Sequence, residues 1–477
     1  MRPGVDETDP SSPACRGRVR LLRRFAWTAL VGLAAFELAA SARVYLAHTG
    51  PRDSPQDYVS QGAWSAAAWV RPLKRQATDV APALTAARRM LDRDPNLYDP
   101  VQRVGPSFIY PPTAALELLP LATLVRGDEV SRATQAMDLA ARLCALATLA
   151  TALAFAWRAA ADWPTRAGLL VVFAAFYPTR WMLTCVQAQS LITLFLALAM
   201  MSAACRRDVL TGVLLGLAAG LKPHLGLLLI FGVVRRQWGL CAGMIGSLLA
   251  LGGLSVALAG FEPWRVYVTE VLPAVSPGYA YYPNQSINGV LNRWMGHPAG
   301  FEIAPRTTVV TIGSAAATLL FAVLAVWPRG AMGGVASRAE SSNAAQVAGA
   351  STAADCAAGS AGLMRAIDLG IALLCATLAS PVAWEHHYAW CVVLYGACLA
   401  AAVETGAPRF RGRVVALLAV SYVGLGAYIA PITAGAGGPV TLLDALPLFA
   451  ALMLLGVAGY LSRWLACAGV GRSEPRP

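Results

Sequence analysis

The chain is constrained above all by a succession of apolar runs that approach the ~20 residues a helix needs to cross a bilayer. They fall at about 25–46, 138–158, 187–204, 209–234, 239–260, 307–327, 366–382, 388–404, 413–431 and 440–463, with shorter ones at 112–125 and 167–184. Hydrophobic residues make up 57% and charged residues 13%, and the mean hydropathy is +0.54, far from soluble proteins. The sequence therefore predicts an all-α polytopic membrane protein with about 11–13 transmembrane or half-membrane helices.

Charge and cysteine usage narrow the class. A net charge of +12 suggests nucleic acid in a soluble domain, but here the arginines flank apolar runs, which marks cytoplasmic loops. Ten scattered cysteines without a CxxC pair indicate neither a disulfide framework nor a zinc site. Arg16, Arg18, Arg20, Arg23 and Arg24 precede a run too long for a signal-peptide core, so the first span is expected to stay attached with its amino terminus in the cytoplasm.

The expected organisation is a cytoplasmic tail (1–24), a membrane core (25–327), a disordered Ala/Gly/Ser-rich cytoplasmic linker (328–365), carboxy-terminal spans (366–465) and a short cytoplasmic tail (466–477). The core carries two external loops, 47–111 and 261–306. In the first, Asp79–Arg93 places Val80, Leu84, Ala87 and Leu91 on one side, as in a helix lying at the interface. Rigid turns at Tyr98-Asp99-Pro100 and Tyr110-Pro111-Pro112 then deliver that loop stiffly onto the apolar run 112–125.

Arg206-Arg207 and Arg235-Arg236 bracket a run interrupted by Lys222-Pro223. If both pairs are cytoplasmic, the run is a hairpin turning at Lys222, and 167–184 likewise dips in and returns. That arrangement aims Gln187, Gln189 and Lys222 outward. A straight span over 209–234 would instead place Arg206-Arg207 outside.

Several polar residues stand out against this background. Lys222 is a charge inside an apolar run, where ionisable groups are expensive and mark function, although snorkelling to the interface is the plain reading. With His224 it suits a phosphate clamp. His386-His387 sits at the outer end of a span after Pro381 and Trp384-Glu385; one ring nitrogen can donate to a phosphate, or the pair belongs to an aromatic belt. Gln187 and Gln189 open a helix where an unpaired amide is costly, so each must bond substrate or a neighbouring helix. Asn284, Gln285, Ser286, Asn288 and Asn292 suit sugar hydroxyls, or a simple turn. Glu385 is a second carboxylate, and Arg88 and Arg89 face either a phosphate or lipid head groups. Asp92-Arg93-Asp94 matches a metal-binding Asp-x-Asp pattern, but such a short pattern arises easily by chance, and no glycine-rich phosphate loop accompanies it. No metal or cofactor is expected.

In order along 79–400, LYD, FIYPP, VQAQSLITLFLALA, RDVLTGVLLGLAAGLKPHLGLLLIFGVVRRQW, YPNQSINGVLNRW and SPVAWEHHYAW resemble glycosyltransferase family 87. The resemblance implies a GT-C-type membrane fold with a structured first extracytoplasmic loop. It also implies a polyprenyl-phosphate sugar donor, typically of mannose, and inverting transfer to a lipid or glycan acceptor. The expected seat is the outer face of a bacterial-type plasma (inner) membrane, the active site facing the periplasm or exterior. It implies a carboxylate of the first external loop as general base, for which Asp79, nineteen residues before Tyr98, is the candidate; its plain role is a helix N-cap. The chain departs from the family in having Val80 after Asp79, where an aromatic is usual, and Val186-Gln187-Ala188-Gln189 in place of Gly-Gln-x-Asn. Asp57-Tyr58 has the aromatic at another distance and is the other candidate base. Lys222, His386, His387, Arg88 and Arg89 are then expected at the donor phosphate. Gln187, Gln189, Tyr110, Asn284, Gln285, Asn288 and Glu385 are expected at the sugar or acceptor. A secondary transporter or flippase of lipid-linked sugars is the alternative; it lacks a need for the long first loop, and no internal repeat supports it.

Overall fold

A computed structural model describes residues 27–28, 30–39, 65, 69, 80–98, 108–124, 130–160, 162–185, 187–297, 302–327, 359–404, 408–427 and 442–470. Among these, regular structure is helical apart from two isolated bridges, Tyr279 with Ile303 and Asn284 with Trp384. Among the described residues six helices are long and apolar enough to cross a membrane, or up to seven if a bent pair counts as one span.

The helices are α1 (Leu30–Ala39), α2 (Val80–Leu91), α3 (Pro112–Glu117), α4 (Leu119–Leu124), α5 (Val130–Ala156), α6 (Trp163–Ala175), α7 (Tyr177–Cys185), α8 (Gln189–Ala204), α9 (Asp208–Leu221), α10 (Leu228–Val234) and α11 (Trp238–Ala259). Then follow a helical stretch over 262–275, α12 (Ile287–Trp294), α13 (Thr308–Val326), α14 (Ser360–Ala379), α15 (Cys391–Glu404), α16 (Pro408–Gly426) and α17 (Leu446–Val470).

The hairpin at Lys222 is present, and small residues build it. Gly212 lies so close to α11 that a Cβ there would stand 2.0 Å from the Leu240 carbonyl oxygen. Gly216 meets Met244 and Ser247, and Gly220 meets Leu251. The contact register advances in the same direction on both helices, so α9 and α11 run parallel. Close backbone approach through small residues is how membrane helices gain packing contacts. Two successive parallel helices require a return path, and the 3-10 turn Pro223–Leu227 with α10 supplies it, bringing Gly232 back against Cys241 near the start of α11.

One side of the bundle is therefore lined by the arginines. Arg365 pairs with Asp208 at 3.2 Å, Arg235 with Asp368 at 3.6 Å, and Arg235 donates to the Trp327 carbonyl at 3.1 Å. The starts of α9 and α14 and the end of α13 share that side, and Ser360 donating to Glu404 at 2.7 Å adds the end of α15. The linker boundary shifts accordingly: α14 begins at Ser360, so residues 360–365 are helix, while 328–358 lie outside the described residues.

Two topological expectations are corrected. The run 112–125 is not a span but two six-residue helices, each about 9 Å long, broken at Leu118 ahead of Pro120. They pack on α2 and the ends of α9 and α11 instead of crossing. In consequence 167–184 does not dip and return: α6 and α7 form one path bent by 46° at Phe176. Removing one crossing upstream lets this pair cross once and still bring α8 to the same start. Arg180, 1% exposed on α7, anchors the pair to α1 through Glu37 at 2.8 Å.

Candidate active site

Pro223 disfavours helical backbone at the residue before it, so α9 ends at Lys222, whose backbone is extended (ψ 100°). Fourteen residues of α9 rise about 21 Å, less than the hydrocarbon thickness, so Lys222 is held at membrane depth rather than at the far surface. Its Nζ donates to Gln189 Oε1 at 2.7 Å and lies 2.5 Å from His387 Nε2. Gln189, 3% exposed in the first turn of α8, also reaches the Thr193 hydroxyl at 3.4 Å.

A second polar pair adjoins the first. His386 Nε2 lies 3.1 Å from Gln187 Oε1, and because an amide oxygen only accepts, the ring nitrogen carries the proton. The other nitrogen, Nδ1, stands 3.9 Å from the Cys185 thiol. His386 and His387 ride a short 3-10 helix, Glu385–Tyr388, all four residues of which are buried. Their rings meet edge to face at 4.6 Å, so they point to different partners, one toward Lys222 and one toward Gln187.

The Asn-rich loop fixes that helix in place. Asn284 donates to the carbonyls of Tyr279 and Pro381, at 3.0 and 3.1 Å, and accepts from Ala383 N at 2.9 Å and the Ser286 hydroxyl at 2.9 Å. Gln285 donates to the carbonyls of Tyr282 and Asp444, Asn288 lies 3.1 Å from the Ser314 hydroxyl, and Asn292 bonds Pro277 O and Asn288. Glu385 N donates to Pro283 O and the Tyr388 hydroxyl to Gln285 O. Asn284, Gln285, Ser286, Asn288 and Asn292 are buried, and their hydrogen bonds weld 279–292 to 381–388, while Gln285 Oε1 is left without a partner.

The segment that precedes α3 reaches the same region. Tyr98 donates to the Tyr110 carbonyl at 2.8 Å, and its ring stacks on Phe108 and Tyr267. Burial pushes both phenols up, that of Tyr267 to about 12. Thr113, on α3, donates to the Gly220 carbonyl at 2.6 Å, bolting the Pro111-Pro112 turn to the end of α9 two residues before Lys222. A small cavity is shared by Ala83 of α2, Tyr110, Ala114, Met137 and Gln187. Asp79 and Asp57 lie outside the described residues; Ala83, four positions after Asp79 in the sequence, lines the cavity that Gln187 lines. Arg88 and Arg89 stand half-buried in the last turn of α2, and Arg89 donates to Asn96 O at 3.1 Å. Asp94 closes a turn onto Asn96. Among the described residues no group of three or more His, Cys, Asp or Glu could hold a metal ion.

The cluster unites Lys222, Gln187, Gln189, His386 and His387, all expected from sequence. Thr113 and the Trp384 amide, which donates to His387 Nδ1 at 3.1 Å, were not expected, because a common hydroxyl and a main-chain N–H leave no trace in a sequence.

Such a molecule is an all-helical, multi-pass membrane protein whose broken helices gather polar side chains at membrane depth. The chain belongs to glycosyltransferase family 87, whose model matches residues 108–352. It is also similar to two curated proteins, each named polyprenol-phosphate-mannose-dependent alpha-(1-2)-phosphatidylinositol pentamannoside mannosyltransferase. The one from Mycolicibacterium smegmatis is 29% identical over 189 residues, 39% of this chain and 37% of that protein. The one from Mycobacterium tuberculosis is 29% identical over 191 residues, 39% of this chain and 35% of that protein. The matched stretch thus spans little more than a third of either relative's length. No solved structure matches the chain at a significant level.

Proposed function

We propose that the protein is a membrane glycosyltransferase that moves a mannosyl group from a polyprenyl-phosphate carrier to a lipid or glycan acceptor, with inversion, at the extracytoplasmic face. The observation that carries this reading is the meeting of Lys222, His387 and Gln189, from segments far apart in sequence, at the turn of a re-entrant hairpin. An isolated cation at membrane depth is costly, and an anionic group delivered from the bilayer offsets that cost. The family and the names of the two relatives support a lipid phosphate as that anion. The positive-inside rule assigns the arginine side to the cytoplasm and hence the cluster to the exterior.

In the reaction, the acceptor hydroxyl attacks the anomeric carbon from the face opposite the phosphate. The bond from that carbon to the phosphate oxygen breaks with its electron pair, and the hydroxyl proton passes to a carboxylate. Lys222, with N–H donors of His386 and His387, steadies the charge gathering on the leaving phosphate, which removes the need for a general acid. Asp79 is proposed as the carboxylate, since α2 begins just after it and carries Ala83 into the cavity beside Gln187. Glu385 and Tyr110 border the acceptor or sugar, and Arg88 and Arg89 attend the phosphate from the loop. Asn284, Gln285 and Asn288 act as the weld that holds His387.

The test is to incubate purified protein with radiolabelled polyprenyl-phosphate mannose and a membrane lipid extract. A new labelled glycolipid is expected; translocated but chemically unchanged donor would instead identify a flippase. Asp79→Asn keeps a helix cap and is expected to lower transfer at least a hundredfold while leaving donor binding intact. Transfer at the normal rate by that variant removes Asp79 as the base.

A further inference from the structure

We propose that the helical stretch 262–275 lies in the plane of the membrane, at the boundary of the leaflet opposite the arginines, with acyl chains of that leaflet covering Phe261, Val268 and Leu272. Its depth follows from what holds its two ends. α11 starts on the arginine side, and its 22 residues rise about 33 Å, enough to traverse a hydrocarbon layer of about 30 Å, so Gly260 emerges at the opposite boundary. There the chain turns at a φ of 76°, which glycine tolerates. Trp264 Nε1 then donates to the Ser255 hydroxyl at 2.9 Å, holding the new helix against the end of α11.

The far end is held in the same way. Arg306 donates to the Pro273 carbonyl at 2.8 Å and to the Ser276 hydroxyl at 3.1 Å, two residues before α13 begins. The end of α13 is back on the arginine side, where Arg235 meets the Trp327 carbonyl. Both ends of the stretch are thus fixed to the outer ends of crossing helices. A rod about 21 Å long, pinned at two points of equal depth, runs parallel to the bilayer.

The stretch shows three different sides. Pro263, Tyr267 and Val271 recur every four residues and are buried, Tyr267 through its stack on Tyr98. Glu262, Arg265, Thr269 and Glu270 form an exposed polar strip, in which Arg265 Nε reaches both carboxylate oxygens of Glu262, at 3.0 and 2.9 Å, and Arg265 lies 3.6 Å from Glu270. Phe261, Val268 and Leu272, at intervals of seven and four, form the third strip and are 71%, 55% and 44% exposed.

The surface on either side of that strip already faces lipid. α11 turns Leu249, Leu254 and Val256 outward, and α13 turns Val309, Ile312 and Leu319 outward, so the strip continues an apolar belt past the ends of two spans. Three side chains fall far short of the roughly 800 Å² that each partner buries in a stable complex, which favours lipid over a second protein. One arginine among two glutamates gives the helix no positive excess to draw anionic head groups, so apolar burial alone seats it. Its buried side meets Tyr98, whose hydroxyl bonds the carbonyl of Tyr110 beside the cavity that Gln187 shares, so leaflet and site rest on one support.

The experiment is spin labelling of the full chain in vesicles of phosphatidylcholine, which carries no net charge. In a cysteine-free background, nitroxides at Phe261→Cys, Val268→Cys and Leu272→Cys should collide with oxygen in preference to a water-soluble nickel chelate, at depths of about 5–10 Å into the boundary of head groups and acyl chains. Labels at Glu262→Cys, Thr269→Cys and Glu270→Cys should show the reverse preference. Equal nickel access at positions 268 and 269 overturns the proposal. So do labels at 261, 268 and 272 that neither reagent reaches, since a protein surface then covers the strip. The unaltered chain gives a second reading: a phosphatidylcholine with a diazirine near the top of an acyl chain should crosslink to Phe261, Val268 or Leu272. Crosslinks confined to the spans overturn the proposal as well.

Discussion

Glu117 shows how closely the site's support is adjusted at the level of one side chain. It stands on α3 against Gly220, with one carboxylate oxygen buried and without a hydrogen-bond partner, beside the carbonyl end of α9 where negative charge is repelled. Burial pushes its carboxyl up to about 8. A raised folded-state value means the fold prefers the neutral acid. The resulting penalty is absent below the ordinary value of 4.5, grows as pH rises, and is complete above 8. Glu117→Gln keeps the shape without the charge, so its Tm should exceed that of wild type above pH 8 and converge with it near pH 4.5. Thermal unfolding in detergent at the two pH values checks this; an equal offset at both would mean the carboxyl is ionised throughout. Lys222, Gln189 and the two histidines were legible in sequence because polar groups in apolar runs stand out. Glu117 was not: it ends a short run beside ordinary leucines, and its importance comes from a helix more than 90 residues away.

Among the elements, the parallel pair α9 and α11 decides where Lys222 sits. Gly243 approaches α9 so nearly that a Cβ would lie 2.2 Å from the Val209 carbonyl oxygen, and backbone cannot yield as a side chain can. Gly243→Val is therefore expected to cost about 1–3 kcal/mol by overpacking, and to lower donor affinity by displacing the hairpin. Gly253, on the same helix with nothing within 4 Å, is the control: Gly253→Ala should leave stability unchanged or raise it by up to about 1 kcal/mol. Denaturation monitored for both variants separates packing from propensity, since equal effects would refute the close approach. The hairpin itself was readable from its flanking arginines and the Lys-Pro break. The run 112–125 was misread because apolar composition is the same for a span and for a buried pair of short helices. Pro120 was the sign that the run is broken.

At the scale of the whole molecule these errors were coupled, because every crossing reverses the side on which the next loop emerges. Counting 112–125 as a span forced 167–184 to turn back; with α3 and α4 lying against α2, the bent α6–α7 path crosses once and both routes deliver α8 to the same side. The two topologies differ at Trp163, which is exposed at the start of α6. In the crossing arrangement it shares the arginine side with Arg207 and Trp238, and the turning arrangement puts it with the polar cluster. In a cysteine-free background, Trp163→Cys, Arg207→Cys and Trp238→Cys should react with a membrane-impermeant maleimide from one face of sealed vesicles. Glu302→Cys, in the loop before α13, should react from the other. Labelling of Trp163→Cys together with Glu302→Cys would restore the turning path. Labelling of Arg207→Cys and Trp238→Cys from opposite faces would dissolve the hairpin, and with it the placement of Lys222 at membrane depth on which its meeting with a lipid phosphate depends.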